Sequence, residues 1–284
     1  MKPALYYEKG SDGAVKCLLC PHGCVIPRGK KGRCLARVNK DGELYAQSFG
    51  RITSIALDPI EKKPLLHFFP GSTILSLGSY GCNFRCAFCQ NHEISMGEAQ
   101  WKSMEPANVA ALSLDLRARG NIGVAYTYNE PLIAFEFLQA CAALIHRQGQ
   151  KNVLVTNGFV NPEPFHALLP AIDAMNIDLK SFSPLFYGEL GGDPETVKGT
   201  IAAAAKACHV EVTTLVVPGK NDSLQEMEAL AAWLGQIDRT IPLHITRFFP
   251  RYQMVDASAT PLETLHTLAQ VAKEHLQTVH LGNC

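Results

Sequence analysis

The sequence has no net charge, no long apolar run and no low-complexity tract. Lysine plus arginine and aspartate plus glutamate each total 26 of 284 residues, so the formal charge at pH 7 is zero. That balance gives no electrostatic case for a nucleic-acid partner or an anionic membrane surface. No stretch approaches the roughly 18 apolar residues of a membrane span, so no membrane partner is indicated. Residues 1–10 lack the basic region and apolar core of a secretory leader, and a cytoplasmic location is expected. With 47% hydrophobic and 18% charged residues, the composition excludes a disordered or fibrous chain. Cysteine, by contrast, is abundant, with ten copies. A disulfide framework is not expected in reducing cytosol, which leaves metal ligation as the leading explanation.

Residues 1–70 carry four of these cysteines and several turn signals, Pro27-Arg28-Gly29 and Asp41-Gly42 among them. An alternating stretch from Leu44 to Phe49 suggests a hairpin. This part reads as a small accessory segment without a large core of its own. Residues 71–284 follow another pattern. Short β-rich runs are predicted at 74–77, 123–127, 152–156, 174–179, 211–217, 242–246 and 278–281. Helices are predicted between them at 106–119, 131–147, 162–169, 194–208, 223–235 and 261–275, several opening on proline, a helix-start signal. Strict alternation of strand and helix demands parallel strands with right-handed crossovers, in an open doubly wound sheet or a full or partial barrel. Six or seven units favour the barrel, where chemistry gathers at the carboxyl ends of the strands.

Directly after the first predicted barrel strand comes Gly81-Cys82-Asn83-Phe84-Arg85-Cys86-Ala87-Phe88-Cys89. Soft thiolates select iron–sulfur centres, and one tight loop lets three of them converge. A fourth ligand is missing nearby. Structural zinc and structural clusters close with four protein ligands, whereas a catalytic metal keeps one position open. At this cysteine content, chance produces the spacing in about one chain in a hundred. The plain alternative is a zinc site completed by His92. The pattern CxxxCxΦC, with Phe88 as the aromatic, resembles the signature of the radical S-adenosylmethionine (SAM) superfamily. That resemblance implies an α/β fold, a partial (β/α)6-type barrel with the cysteine-rich segment appended. It implies a 4Fe–4S cluster on Cys82, Cys86 and Cys89 whose remaining iron binds SAM. One electron then splits SAM to methionine and a 5′-deoxyadenosyl radical that abstracts a hydrogen atom from substrate. It further implies that Phe88 lies beside the adenine and that a flavodoxin- or ferredoxin-type protein donates the electron.

Later strand ends extend the resemblance to the glycyl-radical-activating enzymes, including the pyruvate formate-lyase activators. Tyr128-Asn129-Glu130-Pro131 stands where those enzymes have Gly-Gly-Glu-Pro, which implies that Glu130 and the backbone of Tyr128 and Asn129 engage the methionyl ammonium. Taken alone, Glu130 is a first-turn acid favourable to the helix dipole. Thr156-Asn157-Gly158 and Asp178-Leu179-Lys180 resemble the TNG and DxK elements of that group. The resemblance implies that Asp178 and Thr156 lie near the SAM carboxylate, directly or through a monovalent cation, and that Asn157 and Lys180 also contact the cofactor. The plain reading of Asp178 and Lys180 is an ion pair at the barrel mouth. His244 is expected near the SAM ribose, against the plain reading of a satisfied core histidine. Pro218 to Asp222 reads as a connection, with Asp222 capping the next helix.

The amino-terminal spacing Cys17-x-x-Cys20-x-x-x-Cys24, with Cys34 beyond, offers four thiols among proline and glycine turns. Such a set closes a second metal site holding either zinc or an auxiliary iron–sulfur cluster, unless some are simply buried thiols. This head, with the run from Leu57 to Leu65 and that from Gln90 to Ser95, resembles the radical SAM member of the AmmeMemoRadiSam system over nearly the whole chain. Three functions follow. The first is a radical SAM enzyme acting on a protein or small molecule, with that system's partner proteins as candidates. The second is an activase that makes a glycyl radical on a partner enzyme. The third is a non-catalytic zinc barrel.

Overall fold

The computed structural model describes residues 1–97 and 99–284. An eight-stranded sheet forms its centre: β1 (Ser54–Pro59), β2 (Thr73–Gly78), β3 (Asn121–Tyr126), β4 (Lys151–Thr156), β5 (Ala174–Asp178), β6 (His209–Val216), β7 (Leu243–Arg247) and β8 (Val279–Gly282). Strands β2 to β8 are parallel and lie in chain order, while β1 pairs antiparallel with β2. Among the described residues β1 and β8 do not pair with each other, so the barrel is partial. All seven predicted strands are present. The eighth, β1, lies on the head side of residue 70 yet is hydrogen-bonded into the large sheet. Its half-exposed sequence carries little alternation to reveal it.

Besides a single turn at His92–Ser95, the helices are α1 (Pro106–Asp115), α2 (Phe135–Arg147), α3 (Pro162–Leu168), α4 (Pro184–Leu190), α5 (Pro194–Ala204), α6 (Leu224–Ile237) and α7 (Leu262–Lys273). Helix α4 was not anticipated, although Pro184 opens it and the Ser183 hydroxyl accepts from the Phe186 amide, both ordinary start signals. Ser223, rather than Asp222, caps α6 by accepting from the Glu226 amide.

Strand alternation divides the interior in two. Leu75, Leu77, Val124, Leu154, Met175 and Ile177 join the helices in the main core. Ile74, Ala125, Val153 and Ala174 form a separate cluster on the other side of the sheet. Between β1 and β2 the chain makes a strap that fills this second space. Ile60 and Leu65 are fully buried in the inner cluster, each contributing roughly 1.5–3 kcal/mol. Asn176 donates from Nδ2 to the Pro64 carbonyl at 2.8 Å, and the amides of Leu66 and His67 donate to the Glu211 carboxylate at 3.1 and 2.8 Å. The barrel is therefore plugged by its own preceding segment, and the strap residues Lys62, Lys63 and Pro64 face the cavity described below.

In the head, Arg37–Lys40 pairs with Glu43–Ala46 across Asp41 and Gly42, both at positive φ (52° and 88°), as the Asp-Gly signal demands. Head residues Val15, Leu19, Ile26 and Leu44 belong to the same core as the barrel helices. A buried ion pair between Arg37 and Glu136 of α2 joins the two parts, and the Leu5 amide donates to the same carboxylate at 2.7 Å.

Candidate functional site

A cavity of about 400 Å³ opens at the carboxyl ends of the parallel strands. The loop after β2 enters it with Cys82, Cys86, Phe88 and Cys89; the end of β3 adds Tyr128, Asn129 and Glu130; β4 adds Thr156 and Asn157; β5 adds Asp178 and Lys180. Every site residue expected on the barrel thus lines this one space except His244.

The triplet loop is held from several sides. Gly81 adopts a φ of +87°, and a Cβ there would stand 2.1 Å from the Cys34 carbonyl oxygen, so only glycine lets the loop press against the head. Asn129 receives the Ser79 amide at 2.9 Å and donates from Nδ2 to the Gly81 carbonyl at 2.9 Å, tying the end of β3 to the loop. Asn157 donates to Asn83 Oδ1 at 2.8 Å and to Cys82 Sγ at 3.7 Å, and the Phe84 amide points at the same sulfur at 3.4 Å. Burial pushes the Cys82 thiol well up, helped by nearby Glu130, and burial pushes Cys86 to about 11 although Lys180 opposes it. Without a metal these thiols are protonated at neutral pH, and ligation must release the protons.

The Glu130 carboxylate is buried and accepts from Thr156 Oγ1 at 2.7 Å, the Asn157 amide at 2.8 Å and the Leu132 amide at 3.0 Å. Burial raises its pKa to about 7 against the pull of these three donors. With about four acceptor positions on a carboxylate, one remains for an ammonium in the cavity. Tyr128 occupies a left-handed φ of 71°, which a bulky residue adopts at a cost of order 1–3 kcal/mol. Its hydroxyl donates to Asp58 at 2.7 Å, and Lys63 Nζ sits 4.9 Å from its ring centroid. Lys63 also donates to Asp58 at 2.8 Å. Burial opposes ionisation of Asp58, but Lys63 and Tyr128 hold its carboxyl down at about 2.

Lys180 Nζ contacts Asp178 Oδ2 at 2.7 Å, the ion pair of the plain reading. Burial works to lower the Lys180 pKa, but Asp178 and Cys86 outweigh it and raise it. The carboxylate that a monovalent cation would need is therefore already matched by a lysine. His244 is placed differently from the expectation. Its Nε2 lies 2.6 Å from the Glu211 carboxylate beneath the cavity, and Thr246, two residues on, faces the cavity in its stead. Glu211 is fully buried and needs a counter-donor, which draws the histidine down. The strap lysines 62 and 63 carried no expected role. Two prolines flanking paired lysines ahead of the first parallel strand were the available signal.

Cys17, Cys20, Cys24 and Cys34 line a separate small cavity in the head. Burial pushes Cys20 to about 12 and Cys34 to about 11. Among the described residues, the group of three or more potential ligands whose donor atoms converge within 4.8 Å is Glu228, Glu274 and His275, on the surface. No three of Cys82, Cys86, Cys89 and His92 converge so closely. His92 instead directs Nδ1 to the Cys89 carbonyl at 3.3 Å and stacks on Tyr252.

The sequence profile of the radical SAM superfamily matches residues 77–234. The chain belongs to this superfamily, and membership makes it an enzyme whose cofactors are SAM and a 4Fe–4S cluster. It is 38% identical over 289 residues to the uncharacterized protein MJ0808 of Methanocaldococcus jannaschii, covering 100% of this chain and 85% of that protein. In structure it is similar to SuiB of Streptococcus suis, solved bound to SAM, with a TM-score of 0.55, 14% identity, and 72% of this chain covered. The match spans about half of SuiB, 48%. It is also similar to a radical SAM methyltransferase of Sphaerobacter thermophilus, with a TM-score of 0.56, 14% identity, and coverage of 75% and 67% of the two chains. At these identities the likeness is one of fold. Among the described residues no helix is long and apolar enough to cross a membrane.

Proposed function

We propose that Cys82, Cys86 and Cys89 hold the superfamily's 4Fe–4S cluster and that the cavity beside them seats SAM for attack on a peptide or protein substrate. The observation that carries this is the convergence of the triplet and the ends of β3, β4 and β5 on one cavity. When bound, the cluster supplies the electron that splits SAM into methionine and a 5′-deoxyadenosyl radical, which takes a hydrogen atom from substrate. The chain's own part is placement. Glu130 keeps one acceptor position toward the methionyl ammonium, Asn157 and the Phe84 amide direct hydrogen toward Cys82 sulfur, and Phe88 offers an apolar wall for the adenine. Lys180, paired with Asp178, offers a cation to the SAM carboxylate.

The cavity rim is exposed and polar, with Lys62, Gln90, Asn91 and Asn283 around it. Such a mouth suits a macromolecule that inserts one group. SuiB, which shares the fold, has been solved bound to its precursor peptide SuiA. The electron comes from a flavodoxin- or ferredoxin-type donor, and protein partners of the AmmeMemoRadiSam system are the first substrates to assay. In anaerobic incubations with SAM and dithionite, the wild type should release 5′-deoxyadenosine. The Cys86→Ser variant should release none while keeping its far-UV circular dichroism. Equal release by both proteins would overturn the assignment.

A further inference from the structure

The head cavity is walled by four thiols together with Arg33, Arg37 and His22, and Arg37 is the most deeply buried of its charged side chains. Arg37 is 1% exposed. Its Nη2 is satisfied by Glu136 and by the Leu5 carbonyl at 2.9 Å, while its Nε and Nη1 are buried without a hydrogen-bond partner, as is Oε2 of Glu136. Glu136 balances the charge of the guanidinium, but two buried donors still lack an acceptor, which an electron-rich group in the cavity would supply. Arg37 lines the same cavity as Cys17 and Cys34. As with the triplet, no three of Cys17, Cys20, Cys24 and Cys34 bring their sulfurs within 4.8 Å of one another. Four thiols can close around either one tetrahedral zinc or a cubane, and of the two only the cubane can exchange electrons with a centre on the neighbouring triplet.

We propose that Cys17, Cys20, Cys24 and Cys34 hold a second, fully cysteine-ligated 4Fe–4S cluster, with the Arg37 Nε and Nη1 hydrogens directed at its sulfurs. This centre adjoins the first. Asn83, inside the triplet, lines the head cavity, and its carbonyl accepts from His22 Nε2 at 2.9 Å and Arg33 Nε at 3.3 Å. Cys34 is itself pressed against Gly81. With four protein ligands the head cluster leaves no iron open to SAM. It stores one electron from a low-potential flavodoxin- or ferredoxin-type donor and passes that electron to the neighbouring cluster, each cluster being reduced and reoxidised by one.

The test uses the full chain, purified anaerobically and reconstituted with ferrous iron and sulfide. Wild type should bind about eight irons, and the triple variant C82S/C86S/C89S about four, with an electron paramagnetic resonance signal that SAM does not alter. Cys20→Ser should also retain about four irons, whose signal does respond to SAM. A triple variant that binds one zinc, or no metal, would overturn the proposal. That variant keeps the head intact, so its result does not depend on whether Cys20→Ser folds, nor on whether the triplet cleaves SAM. The double variant R37Q/E136Q removes the buried pair while keeping four cysteines. It should retain iron but show a lower reduction potential for the head cluster, and an unchanged potential would remove Arg37 from the site.

Discussion

Replacing Glu211 by glutamine removes one charge from beneath the cavity at the strand ends and leaves the shape of the side chain. The carboxylate accepts from His209 Nε2 at 3.0 Å, His244 Nε2 at 2.6 Å, and the Leu66 and His67 amides at 3.1 and 2.8 Å. Burial alone would raise its pKa, but the two histidines and the strap amide outweigh it and bring the carboxyl from 4.5 down to about 2. That difference sets a ceiling of about 3 kcal/mol on what the charge contributes at neutral pH. A glutamine oxygen still accepts from the strap amides, so the expected loss is about 1.5–3 kcal/mol. A carboxyl with a lowered folded-state pKa stabilises fully above its unfolded value and loses that contribution as the pH falls. Wild type and Glu211→Gln should therefore differ at pH 7 and converge as the pH falls from 4.5 toward 2. Anaerobic urea unfolding followed by circular dichroism measures the gap, and acid loss of iron affects both proteins alike. Equal stability at pH 7, or a gap that persists into strong acid, would refute the account of the strap anchor.

Gly81→Ala should cost at least about 1–2 kcal/mol from its left-handed φ and also displace the head through the clash with Cys34. Melting temperature and iron content report both effects, and no change in either would mean that the contact is dispensable. Asn157→Ala removes the side-chain donor to Cys82 sulfur and should lower the reduction potential of the triplet cluster. A potentiometric titration identical to wild type would dismiss that role. Lys63→Met removes the nearer cation from partly exposed Asp58, leaving Lys62 at 3.9 Å, and should cost about 1–2 kcal/mol, much of which Lys63→Met with Asp58→Asn should restore. Additive losses in the double variant would show that the two side chains act independently.

What could be read from the sequence was whatever chemistry is local. The triplet occupies eight consecutive residues, and the motifs at Glu130, Thr156-Asn157 and Asp178-Lys180 each end one strand. Alternation of strand and helix then obliges those ends to face one mouth, and the cavity contains all of them. The Asp-Gly turn of the head hairpin was legible for the same reason, since two residues determine its backbone. Tertiary structure decided the rest, because the partners are far apart in the chain. The strap meets Glu211 across 145 residues, and Arg37 meets Glu136 across 99. His244 stands on a strand that reaches the cavity, and the buried charge of Glu211, 33 residues earlier, is what holds its ring away from it. Cysteine spacing announced two ligand sets, but their adjacency through Gly81, Asn83 and Cys34 arises only when the head packs on the barrel, where desolvation makes unmatched guanidinium donors informative.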